Sequence, residues 1–329
     1  MTWSGRSVLV TGADGFIGSH LTEALVQEGA LVRALCFYNS HGSLGWLDTV
    51  EPDTRGALDV RLGDVRDARF VEECCQGVEV VFHLAALISI PYSYQAPESF
   101  VDTNVRGTLN VLEAVRRAGC SRLVHTSTSE VYGTPETIPI RESHPLRAQS
   151  PYSATKIAAD KLCEAFRCTY DLPVVILRPF NTFGPRQSAR AVIPTILLQL
   201  LRHAPEVRLG SLEPRRDLTF VSDTVAGFLA AATAQGIEGE TIHLGTGRAE
   251  SVRDIVAAAQ RVCHQEARVV LCPERLRPPR SEVMVLQSDP SRATSLLGWK
   301  PTVSLEDGLR GTAEWLRAYM DRFPVDYAI

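Results

Sequence analysis

The chain has 329 residues, 45% hydrophobic and 22% charged, an ordinary globular composition with enough apolar material for a sizeable core. Its net charge is −4, with no basic block and no aromatic–basic interleaving, which argues against a nucleic-acid partner. No apolar run approaches the ~18 residues of a membrane span, and the first apolar strand begins at residue 7, too early to follow a secretory leader, so a cytoplasmic protein is expected. The eight cysteines form no Cys-x-x-Cys pair and the eight histidines have no ligand spacing. Reduced thiols, no disulfide framework and no metal site are therefore expected.

Ser7–Thr11 is a short continuous apolar strand that runs into Gly12-Ala-Asp-Gly15-Phe-Ile-Gly18. A helix follows, with Ile17, Leu21, Ala24 and Leu25 at helical spacing. Strand, glycine turn and helix are the setting of a dinucleotide fingerprint. The first glycine allows a tight turn, the second lets backbone approach a pyrophosphate, and the third lets helix pack on strand. Gly12, Gly15, Phe16, Ile17 and Gly18 are thus candidate phosphate contacts at a helix N-terminus. Leu31–Phe37 reads as a second strand. Its end carries Cys36 and Phe37, then Tyr38, Asn39 and Ser40, where an NAD-binding protein usually has an acid for the ribose. With no acid to repel a 2′-phosphate and no arginine to attract one, NAD is not distinguished from NADP here. Asn39 and Ser40 are able to hydrogen-bond either.

Asp59–Val65 forms a third strand, with Asp64 and Val65 placed to meet an adenine. Val78–Ala86 forms a fourth that ends in small residues, which permit close backbone approach to a cofactor at Leu84, Ala85 and Ala86. Asn104 opens a helical segment, 105–117. The fifth strand, Arg122–Ser127, leads into Thr126-Ser-Thr128-Ser129-Glu130. In an open parallel sheet, ligands sit beyond the carboxyl ends of the strands, which puts these hydroxyls and Glu130 at the site. Ser150–Lys156 then places Tyr152 and Lys156 on one face of a helix. A nearby ammonium favours the phenolate, and a drop of about three units from the usual value near 10 corresponds to roughly 4 kcal/mol. The pair suits a general base acting on a sugar or alcohol hydroxyl.

Val174–Arg178 is a sixth strand, followed by an irregular loop, Pro179–Arg186. Ala191–His203 reads as a helix interrupted early by Pro194. Arg215-Arg216-Asp217 precedes a short strand, Leu218–Val221, and then a helix capped by Ser222 or Asp223. Glu240–Gly245 is a further strand and Arg275–Arg280 a basic loop. Arginine-bearing loops in this half suggest an anionic substrate such as a diphosphate.

Together these motifs resemble the extended short-chain dehydrogenase/reductase family, in its branch of nucleotide-sugar epimerases, dehydratases and decarboxylases. The resemblance runs from Thr11–Gly18 to Leu296-Leu-Gly-Trp-Lys-Pro301. It implies an α/β fold, a Rossmann-type doubly wound parallel sheet of seven strands with a smaller C-terminal α/β substrate domain. Residues 1–178 would bind the dinucleotide, about 218–247 would return to that domain, and 179–329 would mainly bind substrate. NAD is the implied cofactor, with NADP not excluded. It would be held by the glycine loop, Asn39, Ser40, Asp64, Val65, Leu84–Ala86, Asn104, Tyr152, Lys156 and the Pro179 backbone. A nucleotide-diphosphate sugar would contact Ser89, Asn181, Arg190, Arg216 and Arg277. A homodimer pairing the segments 105–117 and 153–169 is also implied.

Thr128-Ser129-Glu130 resembles the triplet of GDP-mannose 4,6-dehydratases and occurs in UDP-glucuronate decarboxylases as well. The stretches Phe37–Asp48 and Ala86–Tyr94 resemble legionaminic-pathway dehydratases, which act on nucleotide-linked N-acetylglucosamine. The expected reaction is therefore 4,6-dehydration by Tyr152, Lys156, Thr128, Ser129 and Glu130. Decarboxylation of a uronate (with Arg190 or Arg186 for its carboxylate) and 4-epimerisation are the alternatives on this scaffold. A non-catalytic dinucleotide sensor would have no need of Tyr152, Lys156 and Glu130 together.

Overall fold

The computed structural model describes residues 2–323. In chain order its strands are β1 (Ser7–Thr11), β2 (Leu31–Phe37), β3 (Asp59–Gly63), β4 (Val80–His83), β5 (Arg122–Thr126), β6 (Val174–Pro179), β7 (Asn181–Phe183), β8 (Glu206–Leu209), β9 (Arg215–Phe220), β10 (Thr241–Leu244), β11 (Ala249–Ser251), β12 (Arg268–Leu271) and β13 (Val285–Leu286). Seven of them form a sheet in the order β10-β6-β5-β4-β1-β2-β3, parallel throughout. The central strands are buried on both faces, which explains why β1, β4 and β6 read as unbroken apolar runs rather than alternating ones. Helices Phe16–Gln27 and Val221–Thr233 cover one face. Helices Ala68–Cys75, Gly107–Ala118 and Pro151–Tyr170 cover the other. Strand order reverses between β1 and β4, so the crevice for a ligand opens at the carboxyl ends of these two strands.

The second unit has its own core, in which helices Val192–Leu201, Val252–Cys263 and Leu305–Ala318 pack together. A four-stranded sheet, β11-β9-β13 with β7 on β9, and the pair β12-β8 complete it. Pro194 lies in the first turn of Val192–Leu201, where a missing N–H costs nothing, so it does not interrupt that helix.

Three local expectations change. The strand expected at Leu218–Val221 is β9, which already includes Arg215, Arg216 and Asp217 and belongs to the smaller sheet. Only the following helix and β10 lie on the large one. Neither Ser222 nor Asp223 caps that helix, whose N-cap is Phe220. The Asp223 carboxylate instead accepts hydrogen bonds from Thr302 N, Val303 N and Thr302 Oγ1 (2.7–3.0 Å), a long-range partner set that outcompetes local capping. Asn104 does not open an α-helix either. It sits in a π-turn, Val101–Arg106, before the helix Gly107–Ala118.

Asp217, fully buried on β9, ties the two units together. It accepts from Thr246 N and Oγ1, Gly247 N, and Ser288 N and Oγ at 2.6–3.0 Å. Removing its carboxylate strands five donors. Asp217→Ala is expected to lower stability by about 3 kcal/mol in urea unfolding, and an unchanged midpoint would show that these bonds are redundant.

Candidate functional site

The glycine turn forms a cradle. Gly12 has φ +71°, and a Cβ there would lie 2.8 Å from Ala85 N. A Cβ on Gly18 would overlap the Gly12 carbonyl. Gly15 is the N-cap of helix Phe16–Gln27 and offers no side-chain cap, and the first turn carries no acid. The N–H groups of Phe16, Ile17 and Gly18 are thus left for an anion, which fits a pyrophosphate. Thr11 braces the cradle from below. Its hydroxyl accepts from Leu84 N and Ala85 N (both 3.2 Å) and is 2.8 Å from His83 Nδ1. The strand end at Leu84–Ala86 is thereby drawn against Gly12.

Several expected cofactor contacts are engaged elsewhere. Asn39 does not reach out from β2, because its amide is spent inside its own loop. It donates to Phe37 O and Ser43 O and accepts from His41 N and Ser43 N. Ser40 is exposed in the same loop. The Asp64 carboxylate is paired with Arg66, while Val65 is buried and its carbonyl accepts from Asn110. The Asn104 amide clasps both backbone groups of Leu87 and donates to Thr155 Oγ1, so it joins the β4 loop to helix Pro151–Tyr170. The sequence reading found no acid at the end of β2. The fold supplies one from the glycine turn, since Asp14 Oδ2 accepts the N–H of Phe37 at 3.1 Å. Its signal was present in the turn, at one of the two positions between the first glycines.

Tyr152 and Lys156 lie in helix Pro151–Tyr170, which starts with a Ser150/Ser153 capping box and Pro151 at its first turn. Both side chains are buried, Tyr152 among Ile90, Leu87 and Phe100. The Thr128 hydroxyl hydrogen-bonds the phenol and also caps the turn Ser129–Tyr132 through Glu130 N (3.3 Å). Here the structure corrects the expected ionisation. Burial raises the Tyr152 phenol, the Thr128 bond lowers it, and the Glu130 and Asp160 carboxylates raise it again. The Lys156 ammonium donates to the Thr126 carbonyl at the end of β5. The protein alone therefore keeps Tyr152 protonated, because desolvating a phenolate outweighs the nearby donor. Burial pushes Lys156 down and Asp160 holds it up.

Ser129 is buried. The Glu130 side chain is partly exposed, and no described residue bonds its carboxylate. It nevertheless lies near both Tyr152 and Arg216, whose charges it perturbs. Arg216 is buried on β9 and pairs with Glu282 at 3.2 Å, and Arg277 approaches the same carboxylate at 3.7 Å. Glu282 was not anticipated. It is the acid that ends the basic loop. That loop is strapped across the site by Tyr94 OH–Ser281 Oγ (2.6 Å) and Ser281 Oγ–Gln149 O (2.7 Å). Asn181 on β7 has a buried Oδ1 that no described residue bonds. Ser89 caps a short helix through Tyr92 N. Arg186 is not available for a uronate, because it is buried against Glu23 (2.9 Å). Arg190 is exposed, with no ion pair among the described residues.

Comparison with known proteins places this arrangement. Residues 9–312 match the family model described as GDP-mannose 4,6 dehydratase. A UDP-glucose 4-epimerase of Mycolicibacterium smegmatis is 34% identical, covering 94% of this chain and 98% of that protein. A dTDP-glucose 4,6-dehydratase of Actinoplanes sp. is 32% identical, covering 94% of this chain and 98% of that protein. The solved UDP-glucuronic acid 4-epimerase of Bacillus cereus, in complex with UDP-glucuronic acid and NAD, superposes with a TM-score of 0.85 at 28% identity, over 95% of this chain and 99% of that one. The chain belongs to the extended short-chain dehydrogenase/reductase family of nucleotide-sugar dehydratases and epimerases.

Proposed function

We propose that the protein is a nucleotide-sugar 4,6-dehydratase that forms a 4-keto-6-deoxy sugar with NAD as a tightly bound cofactor. The observation that carries this reading is Glu130, a carboxylate unbonded by any described residue and close enough to the Tyr152 phenol to perturb its ionisation. A 4-epimerase only oxidises and reduces one carbon and has no task for such an acid. NAD, when bound, supplies reversible hydride acceptance, and its positive ring supplies the charge that the protein alone lacks for ionising Tyr152. Tyr152 takes the proton of the sugar C4 hydroxyl, with Thr128 bonding that oxygen. Lys156, fixed on Thr126 O, orients the cofactor's ribose. Glu130 removes the acidified C5 proton, and Glu130 or a water held by Ser129 protonates the departing C6 hydroxyl. Asn181, Arg216 and Arg277 serve the diphosphate.

The sugar of this reading is a nucleotide-linked N-acetylglucosamine or hexose, following the legionaminic-type resemblance of Phe37–Asp48 and Ala86–Tyr94. The second reading is 4-epimerisation, favoured by the epimerases among the relatives. For decarboxylation, Arg186 is committed to Glu23, which leaves Arg190 as the arginine for a uronate carboxylate. A homodimer through segments 105–117 and 153–169 is part of the proposal, supported by Leu109 and Tyr170, which are exposed on those helices.

Glu130→Gln is expected to keep sugar oxidation, seen as NADH absorbance on adding substrate, while water loss by mass spectrometry falls on the order of a thousandfold. An isomer of unchanged mass from the wild type would establish the epimerase instead. The Tyr152 phenol is expected to ionise only above the ordinary tyrosine range near ~10 in dinucleotide-stripped protein. Ultraviolet titration of wild type minus Tyr152→Phe checks this, and a phenolate signal near neutrality would contradict the burial argument.

A further inference from the structure

Asp14 is the one acid of the glycine turn, and no expected function uses it. Its Oδ2 accepts the backbone N–H of Phe37, the last residue of β2, at 3.1 Å. The carboxylate therefore lies between the cradle and the strand end that receives the adenosine ribose in this fold. Its other oxygen accepts no hydrogen bond from another described residue. The turn is held from the far side too. The Asp14 carbonyl accepts from Trp46 N at 3.0 Å. Gly45, at φ +59°, lies so close that a Cβ would be 2.5 Å from that carbonyl. A second acid, Asp48, is fixed in the same loop by Ser43 Oγ (2.8 Å) and Leu44 N (3.1 Å).

The strand end is accordingly negative. Burial and then the Asp14 and Asp48 charges push the Cys36 thiol up to about 12. No lysine or arginine occurs between Arg33 and Arg55. Arg33 itself is occupied by Asp59 and by the carbonyls of Cys74 and Gln76. A ribose with free hydroxyls can donate to the open Asp14 oxygen, whereas a 2′-phosphate brings negative charge onto a carboxylate whose strand end and following loop carry no lysine or arginine.

We propose that Asp14 does the work of the missing strand-end acid, accepting a hydrogen bond from the adenosine ribose and excluding a 2′-phosphate, so that the site selects NAD over NADP. The inference rests on the dinucleotide reading above. The test is binding to dinucleotide-stripped protein, with NADH and NADPH as probes and quenching of tryptophan fluorescence as the readout. The wild type is expected to prefer NADH by about a hundredfold or more, and Asp14→Asn to narrow that gap by about tenfold, chiefly through tighter NADPH binding. An unchanged gap in Asp14→Asn, or no preference in the wild type, overturns the role of Asp14. If that variant does not fold, the wild type still decides. A charge-based preference shrinks as salt rises, and a preference indifferent to salt overturns the proposal. Binding of neither probe overturns the dinucleotide reading itself and this inference with it.

Discussion

Asp160 lies one helical turn beyond Lys156, fully buried, and its Oδ2 accepts from Ser127 Oγ at 2.7 Å and from Arg178 Nη2 at 2.8 Å. His125 Nε2 stands 3.4 Å from its other oxygen. Ser127 directly follows β5, Arg178 lies on β6, and Asp160 belongs to the helix that carries Tyr152, so this carboxylate clamps three elements at one point. A buried anion is tolerated only when it is paired and bonded. Here Arg178 pairs with it, Lys156 feels its charge without bonding it, and the Arg178 and Asp160 charges keep each other ionised. The network continues from Arg178 to the Tyr132 hydroxyl (2.6 Å) and on to His243 on β10 (2.5 Å). The helix carrying Tyr152 and Lys156 is thereby registered against the edge of the sheet by polar contacts whose geometry is far stricter than apolar packing.

The cofactor side is braced in a similar manner with neutral groups. Thr108 Oγ1 donates to Asn104 O at 2.6 Å and lies 3.0 Å from His83 Nε2. His83 Nδ1 meets Thr11, and Thr11 holds Leu84 and Ala85. This chain crosses from β1 through β4 to the π-turn at Asn104. Burial keeps His83 far below its usual titration range, so the chain is expected to remain neutral around neutral pH. A π-turn at this place shifts the helix register by one residue and aims the Asn104 amide at Leu87 rather than at its own helix.

The second unit closes the site through a few long-range contacts. Arg186 reaches Glu23, and His20 reaches the Pro185 carbonyl, so the loop after β7 rests on the helix that follows the glycine turn. Asp217 joins β9 to the turn after β10 and to Ser288. The proposed diphosphate arginines are consequently positioned relative to the glycine cradle by an ion pair and hydrogen bonds that do not involve substrate.

Much of this was legible in the chain itself. The buried apolar strands, the glycine spacing, the Ser150–Lys156 helix start and the Thr128–Glu130 strand end are local patterns. Local sterics and hydrophobic periodicity dictate them, so the parallel sheet and the location of its crevice followed. What only the tertiary structure decided are matters of competition between partners distant in sequence. Asp223 abandons its helix for Thr302 and Val303, Asn39 folds back on its own loop, Arg186 goes to Glu23, and Arg216 shares Glu282 with Arg277. Desolvation, which no spacing reveals, reverses the expected shift of Tyr152. The acid that β2 lacks is supplied by Asp14, because folding brings the glycine turn and the end of the second strand within one hydrogen bond of each other. Sequence determines which groups exist and which elements carry them. The folded structure determines which groups are already paired and which are left to meet a ligand.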